Sequence, residues 1–320
     1  MKIVSIHNIQ DFNFLQNDCF CCIGFFDGIH LGHQKILKQC VLDAKKENKQ
    51  AIVLTFSDDC VLSLKKSMPL CQQELKLQAF KQLGIDVVYI FENHAAIFQF
   101  SGLEFIQKVL LPLNVQRVYC GNDFSFGSDF KKANDLNPFI PVIQLEDYIV
   151  QKNKISSSYI KQLLQNGNVT LANQYLYDDY TIIGTIIHGK QLGRTLDCKT
   201  ANLKVKYPLF LKEGVYFGFA SYQNQYYKAM INVGKNPTTD HDLKQKIEVH
   251  LLNFNQDIYH QTLKVTFLEY HRQEIKFADL EALKKCLKED KIALENFKIK
   301  GEKKDEKKNR QKQVRSLQVS

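Results

Sequence analysis

The chain has 320 residues, 44% hydrophobic and 11% aromatic, enough apolar material for two ordinary cores rather than one. Its formal net charge is +9, but residues 298–320 hold nine Lys or Arg against three Asp or Glu, so six of the nine charges sit in one polar tail. The nearly neutral body shows no basic patch of the kind specific nucleic-acid binding needs, and no apolar run approaches the roughly 20 residues of a membrane helix.

The first ten residues carry one early lysine and a short apolar patch, then turn polar, without the apolar stretch of a secretory leader. Nine cysteines is an odd number that does not suit a disulfide framework, and the two observations together predict a soluble, cytoplasmic protein. Cys19 and Cys22 form an isolated C-x-x-C inside the apolar run CFCCIGF, where cysteine acts as a small hydrophobe. Short β-rich runs at 19–24, 51–56, 86–91, 115–120 and 140–145 alternate with helical patterns. In the helical pattern at 33–47, Ile36, Leu37, Cys40, Val41 and Ala44 recur at helical spacing. This alternation predicts an α/β half, a parallel sheet with helices on both faces whose ligands bind at the C-terminal ends of the strands. Two short helices are expected at 156–165 and 169–175. After Tyr180 come the runs TIIGTIIHG, GVYFGFA, YYKAMINVG, IEVHLLNF and LKVTFLEYH, strands without intervening helices, which predict an antiparallel β-barrel. An amphipathic helix at 278–297 closes that half. The expected domains are 1–177, 178–297 and a disordered basic tail at 298–320.

Chemistry concentrates first in Gly24-Phe25-Phe26-Asp27-Gly28-Ile29-His30-Leu31-Gly32-His33, which runs from the first strand into the first helix. Gly28 and Gly32 let the backbone approach a ligand, and the helix start offers free amides and a positive dipole end. His30 and His33 are placed to face an anion held there and to stabilise charge that develops as pyrophosphate leaves.

This segment resembles the H-x-G-H signature of the nucleotidyltransferase superfamily, in the form found in bifunctional riboflavin kinase/FAD synthetases. The series continues in order with Thr55-Phe56, Leu83-Gly84-Ile85-Asp86, Gly121-Asn122-Asp123-Phe124-Ser125-Phe126-Gly127 and Ile155-Ser156-Ser157-Ser158-Tyr159-Ile160-Lys161. The resemblance implies that Gly24, Asp27, Gly28 and Gly32 line the ATP site. It implies that Ser157, Ser158 and Lys161 hold ATP phosphates and that Asp123, Phe124 and Phe126 lie beside the flavin. Unaided, Ser156 to Ser158 also read as a helix N-cap.

The second half carries Gly189-Lys190-Gln191-Leu192-Gly193-Arg194-Thr195-Leu196-Asp197-Cys198-Lys199-Thr200-Ala201-Asn202, similar to the riboflavin kinase signature. In that signature a Gly-rich flap, here Gly189 and Gly193, folds over phosphates and leads into a Thr-x-Asn pair. Thr200 and Asn202 are two apart, so on an extended segment both point the same way and offer hard oxygens to magnesium. The stretches Asn232 to Thr238 and Glu248 to Phe254 also match. The resemblance implies Glu248 as general base for the ribityl 5′-hydroxyl, although its alternation with His250 equally describes the polar face of an edge strand. Arg272, Phe277 and Asp290 continue the pattern in structural roles.

The implied activity is ATP- and Mg²⁺-dependent phosphorylation of riboflavin to FMN and adenylylation of FMN to FAD. ATP, riboflavin and FMN are its partners, with no membrane and no specific nucleic acid. Departures occur at Phe25 (usually Asn), Asp59-Cys60 (His-Pro), Ser125 and Lys161 (Arg), Leu192 (Arg) and Asp197-Cys198-Lys199 (Gly-Phe-Pro). They leave open a riboflavin kinase whose first half only binds nucleotide. An alternative of another class is a non-catalytic flavin- or RNA-binding protein that uses the tail.

Overall fold

A parallel sheet organises the first half of the computed structural model. Its strands β1 (Lys2–Ile6), β2 (Cys19–Ile23), β3 (Gln50–Phe56), β4 (Val87–Phe91), β5 (Val115–Gly121) and β6 (Val142–Leu145) lie in the order β1-β4-β3-β2-β5-β6. The structure describes residues 1–12, 17–92, 96–188, 200–235 and 245–298. All five residues of β2 are buried. Cys19, Cys21 and Ile23 join a core with Ile106, Val109 and Leu113. Cys22 faces the helix α1 (Leu31–Lys46), its thiol 4.0 Å from the Ile36 carbonyl. With both faces covered, β2 has no reason to alternate, and CFCCI is apolar throughout. Burial pushes the Cys19 thiol up to about 12 and Cys22 well above its ordinary value, so the C-x-x-C pair behaves as packing.

The strand β1 is absent from the runs that the sequence marks. It is an edge strand paired with β4, and only Val4 and Ile6 are buried on it, too short an alternation to stand out. The chain builds β3 and β4 to one side of β2, then crosses to place β5 on the other side. Connections leaving β2 and β5 therefore diverge, and such a switch point opens a crevice at the C-terminal strand ends. Helices α2 (Asp58–Lys65) and α3 (Gln73–Leu83) join β3 to β4. The short α4 (Gly102–Phe105) and α5 (Ala133–Leu136) follow, and a hairpin of β7 (Ile149–Val150) and β8 (Asn153–Lys154) leads into α6 (Ser157–Gln165).

By contacts the chain divides into Met1–Ser157 and Ser158–Ser320. The helix α7 (Val169–Tyr175) falls in the second of these. Asn173 Nδ2 donates to Phe267 O at 2.8 Å, its Oδ1 accepts from Tyr180 N at 2.7 Å, and Thr170 Oγ1 donates to Leu268 O at 2.9 Å. Those bonds tie α7 to the strands of the second unit.

That unit is a closed antiparallel barrel of β9 (Thr181–Ile187), β10 (Thr200–Lys204), β11 (Gly214–Tyr222), β12 (Gln225–Lys235), β13 (Gln245–Leu251) and β14 (Thr262–Arg272). Its order is β10-β13-β12-β11-β14-β9, with β9 pairing back to β10. The α/β sheet and the six-stranded barrel agree with the sequence reading. Helix α8 (Leu280–Asn296) covers Phe217, Met230 and Leu252 on the outside of the barrel through Leu287 and Leu294. Asp290 locks it there. Its buried carboxylate accepts from Arg272 Nε at 3.0 Å and from Nη2 at 2.6 Å, and it lies 3.1 Å from His271 Nε2. Removing Asp290 strands a largely enclosed guanidinium, so Asp290→Ala should lower the barrel's unfolding free energy by about 3 kcal/mol. Denaturant unfolding followed by barrel tyrosine fluorescence measures it, and a loss under about 1 kcal/mol would show that the pair is incidental.

Candidate active sites

The segment between β2 and α1 opens directly onto the switch point of the sheet. Its backbone is strained: Phe26 has φ 50°, Gly28 φ 86° and Ile29 φ 43°. Glycine adopts this region freely, but a buried Phe and a β-branched Ile do so only when their surroundings over-determine them. The determinant is Asp27, also buried. Its Oδ1 accepts from Leu70 N at 2.7 Å and Cys71 N at 3.2 Å, and its carbonyl accepts from Ser157 Oγ at 2.8 Å. The carboxylate thus holds the α2–α3 connection to the β2–α1 turn.

His30 and His33 stack with ring centroids 3.6 Å apart. The His30 ring lies against Gly32, where any Cβ would sit 3.3 Å from it. Both Nδ1 atoms are inaccessible to water and have no hydrogen-bond partner among the described residues. Burial, then Lys65 and Lys154, push His30 down to about 3, and burial, then His30 and Lys65, push His33 well below the usual histidine range. Both rings are therefore neutral at pH 7, each with one N–H donor and one acceptor. A closed polar atom without a partner is costly unless a ligand completes it.

Around this pair stand groups that the sequence does not single out. Lys65, at the end of α2, lies with its amine 4.0 Å from the Phe25 ring centroid, and Phe25 in turn stacks on Phe56 at 4.3 Å. Phe25, the residue found in place of the family's Asn, thus carries a lysine. Lys154 pairs with Asp147 at 3.0 Å and approaches Asp123 at 3.9 Å. Lys76 is buried, with its amine donating to Phe56 O at 2.8 Å. Only Lys154 had a local signal, since it immediately precedes the serine run.

The other expected residues distribute as follows. Gly24 ends the β2 pairing, its N–H on Leu54 O at 3.1 Å. Asp123 follows β5 at the switch point and is 84% exposed, whereas Phe124 and Phe126 are buried, stacked on one another at 5.5 Å and part of the core. Ser157 begins α6, Ser158 is exposed on it, and Lys161 has its amine 4.6 Å from the Phe210 ring centroid.

In the barrel, the register decides which side chains meet. Thr200 pairs with His250 and Asn202 with Glu248 across β10 and β13, and Glu248 pairs with Asn232 across β13 and β12. Ile247, Val249 and Leu251 point into the core, so Glu248 and its register partners share the other face, with Cβ atoms about 5 Å apart. Thr200 and Asn202 are thus on one face beside Glu248. Lys246, two residues from Glu248 on that face, pairs with its carboxylate at 2.7 Å. Asn232 Oδ1 on the same face is closed off from water and has no partner among the described residues. The hydroxyl and amide oxygens of Thr200 and Asn202 are of the kind that suits a hard divalent ion. Gly189, Gly193 and the rest of the flap lie outside the described residues, as do Asn236, Pro237 and Thr238.

Comparisons with known proteins fall on both halves. The FAD synthetase family model matches residues 13–159 and the riboflavin kinase model residues 176–298. A Bacillus subtilis protein described as a bifunctional riboflavin kinase/FMN adenylyltransferase is 33% identical over 281 residues, covering 84% of this chain and 89% of that one. A Listeria monocytogenes protein of the same description is 32% identical, covering 91% and 96%. A crystal structure of a Streptococcus pneumoniae protein, named a macrolide-efflux protein, superposes with a TM-score of 0.85 at 30% identity, covering 93% of this chain and all of that one. Among the described residues here, no helix is long and apolar enough to cross a membrane.

The neutral histidines fix the sign of a pH effect. Their folded pKa values lie below the unfolded value near 6.5, so the stability they contribute is present above about pH 6.5 and is lost as pH falls towards about 3. In that window each histidine costs up to about 1.4 kcal/mol per pH unit. Urea unfolding of the first unit at pH 7 and pH 5 should therefore fall more steeply for the parent than for a His30→Asn, His33→Asn variant. Equal falls would show that the rings take up protons in the folded state.

Proposed function

The chain belongs to the family of bifunctional riboflavin kinases/FMN adenylyltransferases, and from that membership we propose that each unit performs one step of FAD synthesis. The carrying observation is that each unit separately assembles its own reactive group from residues remote in sequence. His30, His33, Lys65 and Lys154 gather in the first, and Asn202, Glu248 and Asn232 align in the second.

In the first unit, a phosphate oxygen of FMN attacks the α-phosphorus of ATP and pyrophosphate departs. The nucleophile is already an anion and requires no base. His30 and His33 donate N–H bonds to the oxygens on which charge builds, and Lys65 and Lys154 offset the charge of two polyanionic substrates. Gly24, Asp27, Gly28 and Gly32 are the proposed nucleotide contacts and Ser157 a proposed phosphate contact of this unit; Ser158 and Lys161 are further phosphate contacts that the resemblance implies. Asp123, Phe124 and Phe126 are the proposed flavin contacts.

In the second unit, the ribityl 5′-hydroxyl of riboflavin attacks the γ-phosphorus of ATP, the hydroxyl proton passes to Glu248, and ADP departs. Thr200 and Asn202 would hold Mg²⁺, which when bound neutralises phosphate charge. Gly189 and Gly193 would let the flap cover the nucleotide. The proposed domain limits are 1–177 and 178–297; the FAD synthetase match, 13–159, lies within the first, and the riboflavin kinase match, 176–298, overlaps the whole of the second. The eight described cysteines are all free, in keeping with a cytoplasmic setting.

The two reactions should separate by substitution. Glu248→Gln should depress FMN formation from riboflavin by about 10²- to 10⁴-fold while supplied FMN still becomes FAD. His30→Ala with His33→Ala should do the reverse. Flavins separated by chromatography after incubation with ATP and Mg²⁺ give the readout. Parental FMN formation by the Glu248 variant would remove the assigned base, and parental FAD formation by the histidine variant would remove the first site.

A further inference from the structure

Asn232 stands on β12, between the proposed base on β13 and a second carboxylate that the sequence gives no reason to notice. Its Nδ2 donates to Glu274 Oε1 at 2.9 Å. A carboxylate oxygen is an acceptor, so this bond fixes the amide: nitrogen towards Glu274, oxygen away from it. Glu274 lies just beyond the end of β14, and β12 has β11 and then β14 on one side and β13 on the other. Oδ1 is thus turned from Glu274, and on the opposite neighbouring strand, β13, Glu248 is the register partner of Asn232. The same oxygen is closed off from water and has no partner among the described residues.

Gly234 belongs to the same device. It is two residues along β12 from Asn232, hence on the same face, and a Cβ there would run into the Glu274 carboxylate. Glycine at this position makes the space in which Glu274 can lie and orient the amide. The result is a buried acceptor beside the general base, which a polar donor must complete. Thr200 and Asn202, the proposed metal pair, are on β10, on the far side of β13 from Asn232. The substrate that brings hydroxyl donors to Glu248 is the polyol of the flavin.

We propose that Asn232 Oδ1, held by Glu274, accepts a hydrogen bond from a secondary ribityl hydroxyl of riboflavin and so sets the reach of the 5′-hydroxyl to Glu248. Asn232 is then a substrate-binding residue, and Glu274 and Gly234 are positioning residues. The inference rests on the kinase reading of this face.

The test is steady-state phosphorylation by full-length Asn232→Ala, Glu274→Ala and Glu274→Gln. Supplied FMN and its conversion to FAD serve as the folding control in the other unit. Asn232→Ala should raise the KM for riboflavin about 3- to 10-fold and leave the KM for ATP and the Mg²⁺ optimum unchanged. Glu274→Ala should give a smaller rise. Glu274→Gln, whose amide oxygen can still accept from Asn232, should stay near the parent. Riboflavin analogues lacking one ribityl hydroxyl at a time supply the readout that a merely structural role would not move. One analogue should be impaired with the parent and no further impaired with Asn232→Ala. An unchanged riboflavin KM, a shift in ATP or Mg²⁺ dependence instead, or equal sensitivity of parent and variant to every analogue would overturn the proposal. Because Glu248→Gln tests the site itself, loss of phosphorylation in that variant with none of these effects at Asn232 would sink this inference alone.

Discussion

The buried carboxylate of Asp27 is the constraint from which the geometry of the first site follows. A carboxyl group withdrawn from water requires donors, and it finds them on the backbone of Leu70 and Cys71. The carbonyl of the same residue takes the Ser157 hydroxyl. Three segments far apart in sequence are thereby fixed to one residue: the β2–α1 turn, the α2–α3 connection and the start of α6. Only with the turn held at that point can Phe26 and Ile29 remain at positive φ. That backbone in turn delivers His30 over Gly32 and onto His33. The buried Lys76 works in the same frame. Burial lowers its proton affinity, while Asp58 and Asp27 nearby oppose the loss of its charge.

In the barrel, the corresponding constraint is register. Side chains alternate along a strand, so a slip of one residue between β12 and β13 would drive Glu248 into the core and Val249 out of it. Closure of the barrel and the apolar series Ile247, Val249, Leu251 forbid the slip. Once that series is committed inward, Lys246, Glu248 and His250 share the outer face without further instruction. The alternation that makes Glu248 look like an ordinary edge-strand residue is therefore what aims it at Asn202 and Asn232.

Legibility in the sequence follows the same division between local and tertiary causes. Helices α6 and α7 were readable to within one residue because their apolar spacing and the Asn166-Gly167 break are local. The histidine turn was readable because its strand, glycines and helix are contiguous. Strand β1 was not, because a short edge strand with two buried residues carries little pattern. Lys65 reaches the site only through the packing of α2 on Phe25, a contact 40 residues apart that no spacing encodes. Lys246 could have been found from the two-residue period alone. Phe124 and Phe126 pack in the core, and an aromatic pair serves a core as well as it serves a ligand, so their spacing alone does not separate the two uses.

The two units differ in the groups they present because their nucleophiles differ. The acceptor in adenylyl transfer is a phosphate, already ionised at neutral pH, so a base would have nothing to remove. What that reaction needs is neutral donors and nearby positive charge. The first site answers with two uncharged imidazoles and with Lys65 and Lys154, while its buried carboxylate is turned to the backbone. Were Asp27 aimed into the crevice, its charge would repel both polyanionic substrates. The acceptor in the kinase step is an alcohol, which must lose a proton as it attacks. A carboxylate is the natural recipient, and Glu248, the proposed base, is half-buried on the outer face with Lys246 holding it at 2.7 Å. The placement of acids, inward and spent in one unit, outward and available in the other, therefore follows from whether the attacking oxygen arrives with its proton.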